Sequence, residues 1–165
     1  YPLGELGRLL GHLQEAEVLA EALGDRHRMG WVSAYLLAHF VLAGELDRAL
    51  VSGQRALAIA ATLGEVGLMV VAQYYLGGVY RSLGDYRQTR ELLQQCVASL
   101  QGSLLQECFG LHGLASVRSR SVLVLALAEC GDFTEGRAPA EEGVRIAETA
   151  DQNVAQGFSP ASSQP

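Results

Sequence analysis

Apolar residues between positions 75 and 100 have the spacing of two amphipathic helices separated by a tight turn. In the first half, Leu76, Val79, Tyr80 and Leu83 recur at intervals of three and four residues, which places them on one helix face. Gly84-Asp85 then interrupts the pattern. It resumes at four further apolar positions: Tyr86, Leu93, Val97 and Leu100. The segment therefore predicts a helix, a turn and a second helix.

Polar and small residues around this turn refine the prediction. Asp85 is positioned to cap the second helix by accepting hydrogen bonds from its first amides, with Gln88 as the reciprocal half of a capping box. Gly77 and Gly78 lie inside the first helix, where each glycine costs about 1 kcal/mol relative to alanine. We therefore expect both glycines to allow the close approach of a neighbouring helix.

The helical hairpin recurs along the chain. A shift of 40 residues towards the N-terminus places Gly84-Asp85 on Gly44-Glu45, and a shift of 47 residues towards the C-terminus places it on Gly131-Asp132. The apolar positions are retained under both shifts. A second match at 40 residues, between the segments that end at Glu65 and at Asp25, supports the same register.

The apolar pattern predicts seven helices, over the approximate ranges 6–23, 29–43, 46–63, 66–83, 86–100, 117–129 and 133–150. Arg26-His27-Arg28 is predicted as a polar link before the second helix, and Pro139 is expected to kink the last helix or to delay its start. Asp132 and Glu135 form a further predicted capping box. Residues 1–152 are thus predicted as one domain, and residues 153–165, rich in Ser, Pro and Gln, as a disordered tail.

Residues 101–120 are the one irregular connection in this pattern, with glycines at 102, 110 and 113 and no clear period. One interpretation is a loop with a single short helical turn that passes around the edge of the helical array. The other is a segment that lies over a groove or contacts a neighbouring domain, since long ordered loops are often functional.

Several of these residues resemble the tetratricopeptide repeat family. The matching features are a Leu-Gly pair, an aromatic residue three positions later, a Gly-Asp turn and small residues in the second helix: Leu76-Gly77, Tyr80, Gly84-Asp85, Ala49 and Ala56. The resemblance extends over residues 1–152. It implies an all-α fold, a right-handed α-solenoid of antiparallel helix hairpins, with about seven helices.

Four segments carry a narrower resemblance: YPLGELGRLL, SGQRALAIA, YYLGGVYRSLGDY and EEGVRIAE. They are similar to the repeat region that follows the ATPase module in bacterial class III adenylate cyclase-like and related signal-transduction ATPases. This resemblance implies a non-catalytic interaction and scaffold domain, the sensor or regulatory arm of a larger cytoplasmic signalling protein. The alternative is a structural element whose exposed ends stack on further repeats or on a second copy.

The family resemblance also suggests where a partner binds. In tetratricopeptide hairpins the first helices line a concave side, and the matching positions here include Trp31, Tyr74, Arg81 and Arg118. Aromatic residues and arginine are enriched among binding hot spots, so we expect these four to contact a protein or peptide segment or an adjacent domain. The alternative is that Trp31 and Tyr74 pack against adjacent helices.

Composition narrows the possible partners. The formal net charge of -6 argues against nucleic acid, because phosphate binding needs a basic surface. No apolar run approaches the length of a membrane span. With 49% hydrophobic and 18% charged residues, the composition is typical of a solenoid cut from a longer array, and we expect a fragment of a larger cytoplasmic protein.

The residues with catalytic or metal-binding chemistry are few. No phosphate-binding glycine loop occurs, His12 and Glu15 could supply only two metal ligands, and His112 near Cys108 lacks an orienting acid in sequence. The three cysteines, an odd number, are expected to be buried reduced thiols. The sequence therefore predicts no enzyme activity, no cofactor and no metal.

Overall fold

The structure is a computed structural model that describes residues 3–155, and within them it contains seven α-helices, one short 3-10 helix and no strand. The helices are α1 (Leu3–Ala22), α2 (Arg26–Ala43), α3 (Leu46–Leu63), α4 (Val66–Ser82), α5 (Tyr86–Ser99), α6 (Ala115–Glu129) and α7 (Phe133–Ala155), with the 3-10 helix at Gly102–Gln106. The prediction of an all-α fold is confirmed over this range. The predicted domain boundary at 152 falls within α7, and residues 156–165 of the predicted tail lie outside the described residues.

Five of the six connections between the described α-helices repeat one geometry. In each, a glycine has a left-handed backbone, with φ between 63° and 81°, and the following residue donates its amide to the carbonyl five residues earlier. This is the Schellman arrangement, in which glycine is favoured because it lacks a Cβ. The five glycines are Gly24, Gly44, Gly64, Gly84 and Gly131. Their spacing agrees with the shifts of 40 and 47 residues found in the sequence.

Aspartate caps fix the start of two helices. The Asp85 side chain accepts a hydrogen bond from the Gln88 amide at 3.1 Å, as predicted. The Asp25 side chain accepts one from the Arg28 amide at 3.0 Å. Residues 26–28 therefore form the first turn of α2, and the prediction of a polar link there is wrong, because the Asp25 cap was not recognised in the sequence.

The last helix begins at Phe133 despite Pro139. The Gly136 amide bonds the Asp132 carbonyl at 3.0 Å, so the expected delay of the helix start does not occur. The carboxylates of Asp132 and Glu135, which were predicted as parts of a capping box, accept hydrogen bonds from the Arg90 side chain of α5. They thereby connect α7 to α5, much as Arg55 of α3 bonds two glutamates of α1.

Each helix packs against the next along the chain, and α2 also packs against α4, and α4 against α6. Helices α2, α4 and α6 are therefore neighbours in one layer, with α3 and α5 behind them. The core between the layers consists mainly of leucine, valine and alanine. Within the described range, no helix combines the length and the apolar character needed to cross a bilayer.

The two adjacent glycines of α4 have different roles. A Cβ on Gly77 would lie 2.9 Å from Leu93 Cγ, so the absence of a side chain allows α5 to pack closely, as predicted. A Cβ on Gly78 would have no heavy atom from elsewhere in the structure within 4 Å. The prediction of close helix approach is therefore wrong for Gly78, which lies on an open side of α4.

Candidate interaction surface

Trp31 joins α2 to the start of α4. Its indole Nε1 donates a hydrogen bond to Glu65 Oε1 at 2.8 Å, and its ring packs on the main hydrophobic cluster. The same carboxylate group lies 3.2 Å from His27 Nε2, which belongs to the first turn of α2. Trp31 is thus half-buried and has an intramolecular partner, as expected for a packing residue.

Tyr74 and Arg118 contact each other. Arg118 donates to the Tyr74 hydroxyl from Nη2 at 2.6 Å and from Nε at 3.1 Å, and its Cζ lies 5.2 Å from the centre of the tyrosine ring. The third guanidinium nitrogen donates to the carbonyl of His112 at 3.1 Å. These two predicted partner-binding residues therefore connect α4 and α6 and hold the preceding loop.

Arg81 forms a second connection between the same two helices. Its Nη1 lies 3.2 Å from Glu129 Oε1, and the other oxygen of Glu129 accepts a hydrogen bond from the Tyr86 hydroxyl. This hydrogen bond to a carboxylate raises the pKa of Tyr86 above its ordinary value. Arg81 is partly exposed at the edge of the α4–α6 layer.

The irregular segment lies against α4 and α6. Phe109, which has a φ of 47°, packs its ring where a Cβ on Gly67 would be, and the Ser116 hydroxyl donates to the Leu105 carbonyl at 2.7 Å. Leu111 is buried in the same cluster as Ala34 and Val71. The segment contains one short helical turn, as the first interpretation expected, and this turn packs on α6.

This packing removes part of the predicted concave surface. Ala34 and Val71, each one helical turn from Trp31 or Tyr74, are only 1% and 4% exposed. The sequence did not indicate this burial, because the loop residues that share their cluster, Leu104, Phe109 and Leu111, lie in a segment without a regular period. A partner could reach only the remainder of the surface.

The remainder forms an open strip between α4 and α6. The two cross-connections, Tyr74–Arg118 and Arg81–Glu129, bracket it at either end. From the first connection to the second, the residue number rises on α4, from 74 to 81, and also on α6, from 118 to 129. Helices α4 and α6 therefore run in the same direction. The residues of the strip, all partly or fully exposed, are Gly78, Ser121, Leu125 and Ala128.

A second surface, which the sequence analysis did not identify, is an apolar groove of about 440 Å³ between α6 and α7. Among the described residues, Arg120 is the only charged one that lines it. The groove borders the open strip at Ser121 and Leu125. The apolar residues that line it are Val117, Val124, Leu125, Pro139, Ala140, Val144 and Ala147.

The cysteines differ in environment, and all three are free thiols. Burial raises the pKa of the Cys96 thiol to about 11, while a hydrogen bond with Ser119 acts in the opposite direction. Cys96 is a core residue, as predicted, and Cys108 is half-buried. Cys130 is exposed at the C-terminal end of α6, so the prediction of three buried thiols is wrong for it.

The candidate ligand pairs lie in surface positions. His12 Nδ1 and Glu15 Oε2 are 3.8 Å apart on the exposed side of α1. His112, the residue considered as a base for Cys108, is exposed, and its carbonyl accepts from Arg118. Among the residues that the structure describes, no three His, Cys, Asp or Glu side chains converge as a metal site would require.

No protein-family model matches this chain, and no curated protein matches it.

Proposed function

We propose that this chain is a tetratricopeptide-like, right-handed α-solenoid of antiparallel hairpins whose function is to bind a protein or peptide segment without catalysis. The observation that carries the proposal is the α2–α4–α6 layer, with its open strip between α4 and α6. The spacing of the glycine turns and the same direction of α4 and α6 support the repeat arrangement. The strip supports a binding role.

The chemistry of the strip suits a short peptide segment. Its floor is Gly78, Leu125 and Ala128, which offer a shallow apolar surface without bulky side chains on the α4 side. Arg81 and Arg118 lie at its two ends and are held in place by Glu129 and Tyr74. A segment with one apolar side chain and carbonyl or carboxylate oxygens near its ends would satisfy both features.

We further propose that the domain is the sensor or regulatory arm of a larger bacterial ATPase or adenylate cyclase-like signalling protein in the cytoplasm. The support is the resemblance of the four sequence segments quoted above. In such a protein, the catalytic groups would belong to another domain. The binding partner of the strip would be a separate protein or an adjacent domain of the same chain.

Selection of peptides on the purified chain tests the binding proposal. Peptides that bind the chain are first selected from a phage-displayed library of random sequences. The affinity of two charge variants of the chain for these peptides is then measured. Gly78→Glu places a carboxylate in the open strip without a steric clash, and it should weaken binding by about tenfold or more. The matched control is Arg87→Glu on α5, where the side chain is highly exposed.

The control variant should bind the selected peptides as the wild type does. Helical circular dichroism should be unchanged in both variants, because neither residue packs in the core. Equal affinity of the wild type and Gly78→Glu for every selected peptide, or a loss only in Arg87→Glu, would contradict the proposed site.

A further inference from the structure

The groove between α6 and α7 has counterparts in the two preceding helix pairs. A shift of 47 residues relates the pair α6 and α7 to the pair α4 and α5, and a shift of 87 residues relates it to the pair α2 and α3. In the earlier pairs the equivalent face is covered by the next helix along the chain, because α4 packs on both α2 and α3 and α6 packs on both α4 and α5. These internal contacts show what such a face accommodates.

The contacts are close in both earlier pairs. The Leu76 side chain of α4 occupies the space where a Cβ on Gly53 of α3 would lie. Cys96 Sγ of α5 lies 3.2 Å from the Ser119 hydroxyl of α6. Four positions that line the groove in the last pair are accordingly buried in both earlier pairs. For the pair α2 and α3 the residues are Gly30, Leu37, Gly53 and Ala60, and for the pair α4 and α5 they are Val70, Gly77, Leu93 and Leu100.

In the last pair the same four positions are partly exposed. They are Val117, Val124, Ala140 and Ala147. Val144, beside them on α7, is 58% exposed. The face that elsewhere in the chain receives an apolar helix is therefore open at α6 and α7 within the described residues. Its shape and composition point to a helix as the occupant.

Arg120 indicates which charge the occupant of the groove should carry. The residue is 5% exposed, and its Nη1 donates to the Ser116 carbonyl at 3.0 Å. Burial lowers the pKa of Arg120, while the charge of Glu142 acts in the opposite direction. Among the described residues, no carboxylate oxygen lies within 4.0 Å of it, although a buried charge is costly unless it is paired. The occupant is thus expected to bring a carboxylate.

One described helix has the required face. Two large apolar residues of α1, Val18 and Leu19, and Leu23 in the turn directly after it are each more than 60% exposed. Glu15 lies one helical turn before Leu19 on the same side, and its side chain is 78% exposed. Residues 156–165, by contrast, contain a single large apolar residue, Phe158.

We propose that α1 of a second copy of this chain docks in the groove between α6 and α7. Val18 and Leu19 of the second copy would contact Val124 and Val144, and Glu15 would pair with Arg120. The contact goes beyond the proposed peptide binding and uses a different surface, which meets the open strip only at its edge. Because the two contacting faces differ, the association is head-to-tail and can continue from copy to copy.

Sedimentation equilibrium of the purified chain from micromolar to millimolar concentration tests this proposal. The mass of the wild type should increase with concentration beyond that of a dimer. Val144→Glu, which blocks the groove, and Leu19→Lys, which blocks α1, should each remain monomeric at concentrations where the wild type associates. Both positions are exposed, so the helical circular dichroism of each variant should match that of the wild type.

A mixture of the two variants distinguishes this contact from other kinds of association. Val144→Glu retains an intact α1 face, and Leu19→Lys retains an intact groove, so an equal mixture should form a dimer and nothing larger. Glu15→Lys should weaken association of the otherwise unchanged chain by about tenfold or more, since it reverses the charge opposite Arg120. The control Glu5→Lys, at the start of the same helix, should not.

Three results would overturn the proposal. The first is a wild type that stays monomeric over the whole range. The second is association of the wild type with no dimer in the mixture, which would indicate a symmetric contact between like faces. The third is equal association of Glu15→Lys and the wild type. None of these results affects the peptide-binding proposal, because Val144 and Glu15 lie outside the open strip.

Discussion

Arg118 holds the hydroxyl of Tyr74 with two of its guanidinium nitrogens, at 2.6 and 3.1 Å, and with the third it holds the backbone of the loop at His112. One side chain thereby connects α4, α6 and the irregular segment between α5 and α6. From the sequence, Tyr74 and Arg118 were predicted separately as residues of a binding groove. The structure shows that they are first of all partners of each other, and that they form one end of the open strip.

Removal of the Tyr74 hydroxyl should destabilise this junction. In Tyr74→Phe the guanidinium of Arg118 loses the acceptor of two hydrogen bonds, and we expect the free energy of unfolding to fall by about 1–2 kcal/mol. Urea denaturation followed by circular dichroism measures the change. Tyr35→Phe is the matched control, because Tyr35 is 52% exposed on α2. An equal effect of both variants would show that the Tyr74–Arg118 contact contributes nothing specific.

The two glycines of α4 should respond in opposite directions to the same substitution. Gly78→Ala should raise the free energy of unfolding by about 1 kcal/mol, because the methyl group meets no other atom and alanine favours the helix. Gly77→Ala should lower it by about 1–3 kcal/mol, because the methyl group would lie 2.9 Å from Leu93 Cγ. Urea denaturation of both variants gives the comparison. Stabilisation by Gly77→Ala would mean that α5 is not packed closely at this point.

The buried Cys96 thiol should make stability depend on alkaline pH. Its pKa is raised to about 11 from an ordinary value of 9.0, so the unfolded chain loses this proton at lower pH than the folded chain does. The contribution of the thiol to stability is therefore complete below pH 9 and is lost as the pH rises towards 11. The loss should amount to about 2–3 kcal/mol.

Cys96→Ala isolates this contribution. The difference in unfolding free energy between the wild type and Cys96→Ala, measured at pH 8 and again near pH 11, should shift against the wild type at the higher pH. Cys130→Ala removes an exposed thiol and should follow the wild type at both values. Parallel pH dependence in the wild type and Cys96→Ala would contradict burial of the Cys96 thiol in the folded protein.

The elements that depend on local sequence could be predicted well. The bounds of α3 agree with the prediction at both ends, because Gly44-Glu45 and Gly64-Glu65 are unambiguous turn signals. The cap at Asp85 was predicted from the same kind of local information. The equivalent cap at Asp25 was missed, and with it the first three residues of α2, because the run of charged residues after it suggested a link.

Contacts between distant residues could not be predicted in the same way. Trp31 and Glu65 are separated by 34 residues, and Arg81 and Glu129 by 48, so their pairing depends on how the helices pack and not on local spacing. The burial of Ala34 and Val71 likewise depends on a loop whose course has no period in the sequence. The candidate site therefore changed from four separate side chains to the open strip between the Tyr74–Arg118 and Arg81–Glu129 contacts.

Photo-crosslinking from the open strip tests directly whether a partner segment binds between α4 and α6. A benzophenone side chain is introduced at Ala128, an exposed strip position, and in a second protein at Arg87 on α5. Each protein is illuminated with a peptide selected on the wild-type chain. If the partner segment binds in the strip, a covalent product forms from position 128 and none forms from position 87. A product from position 87 and none from position 128 would contradict binding in the strip.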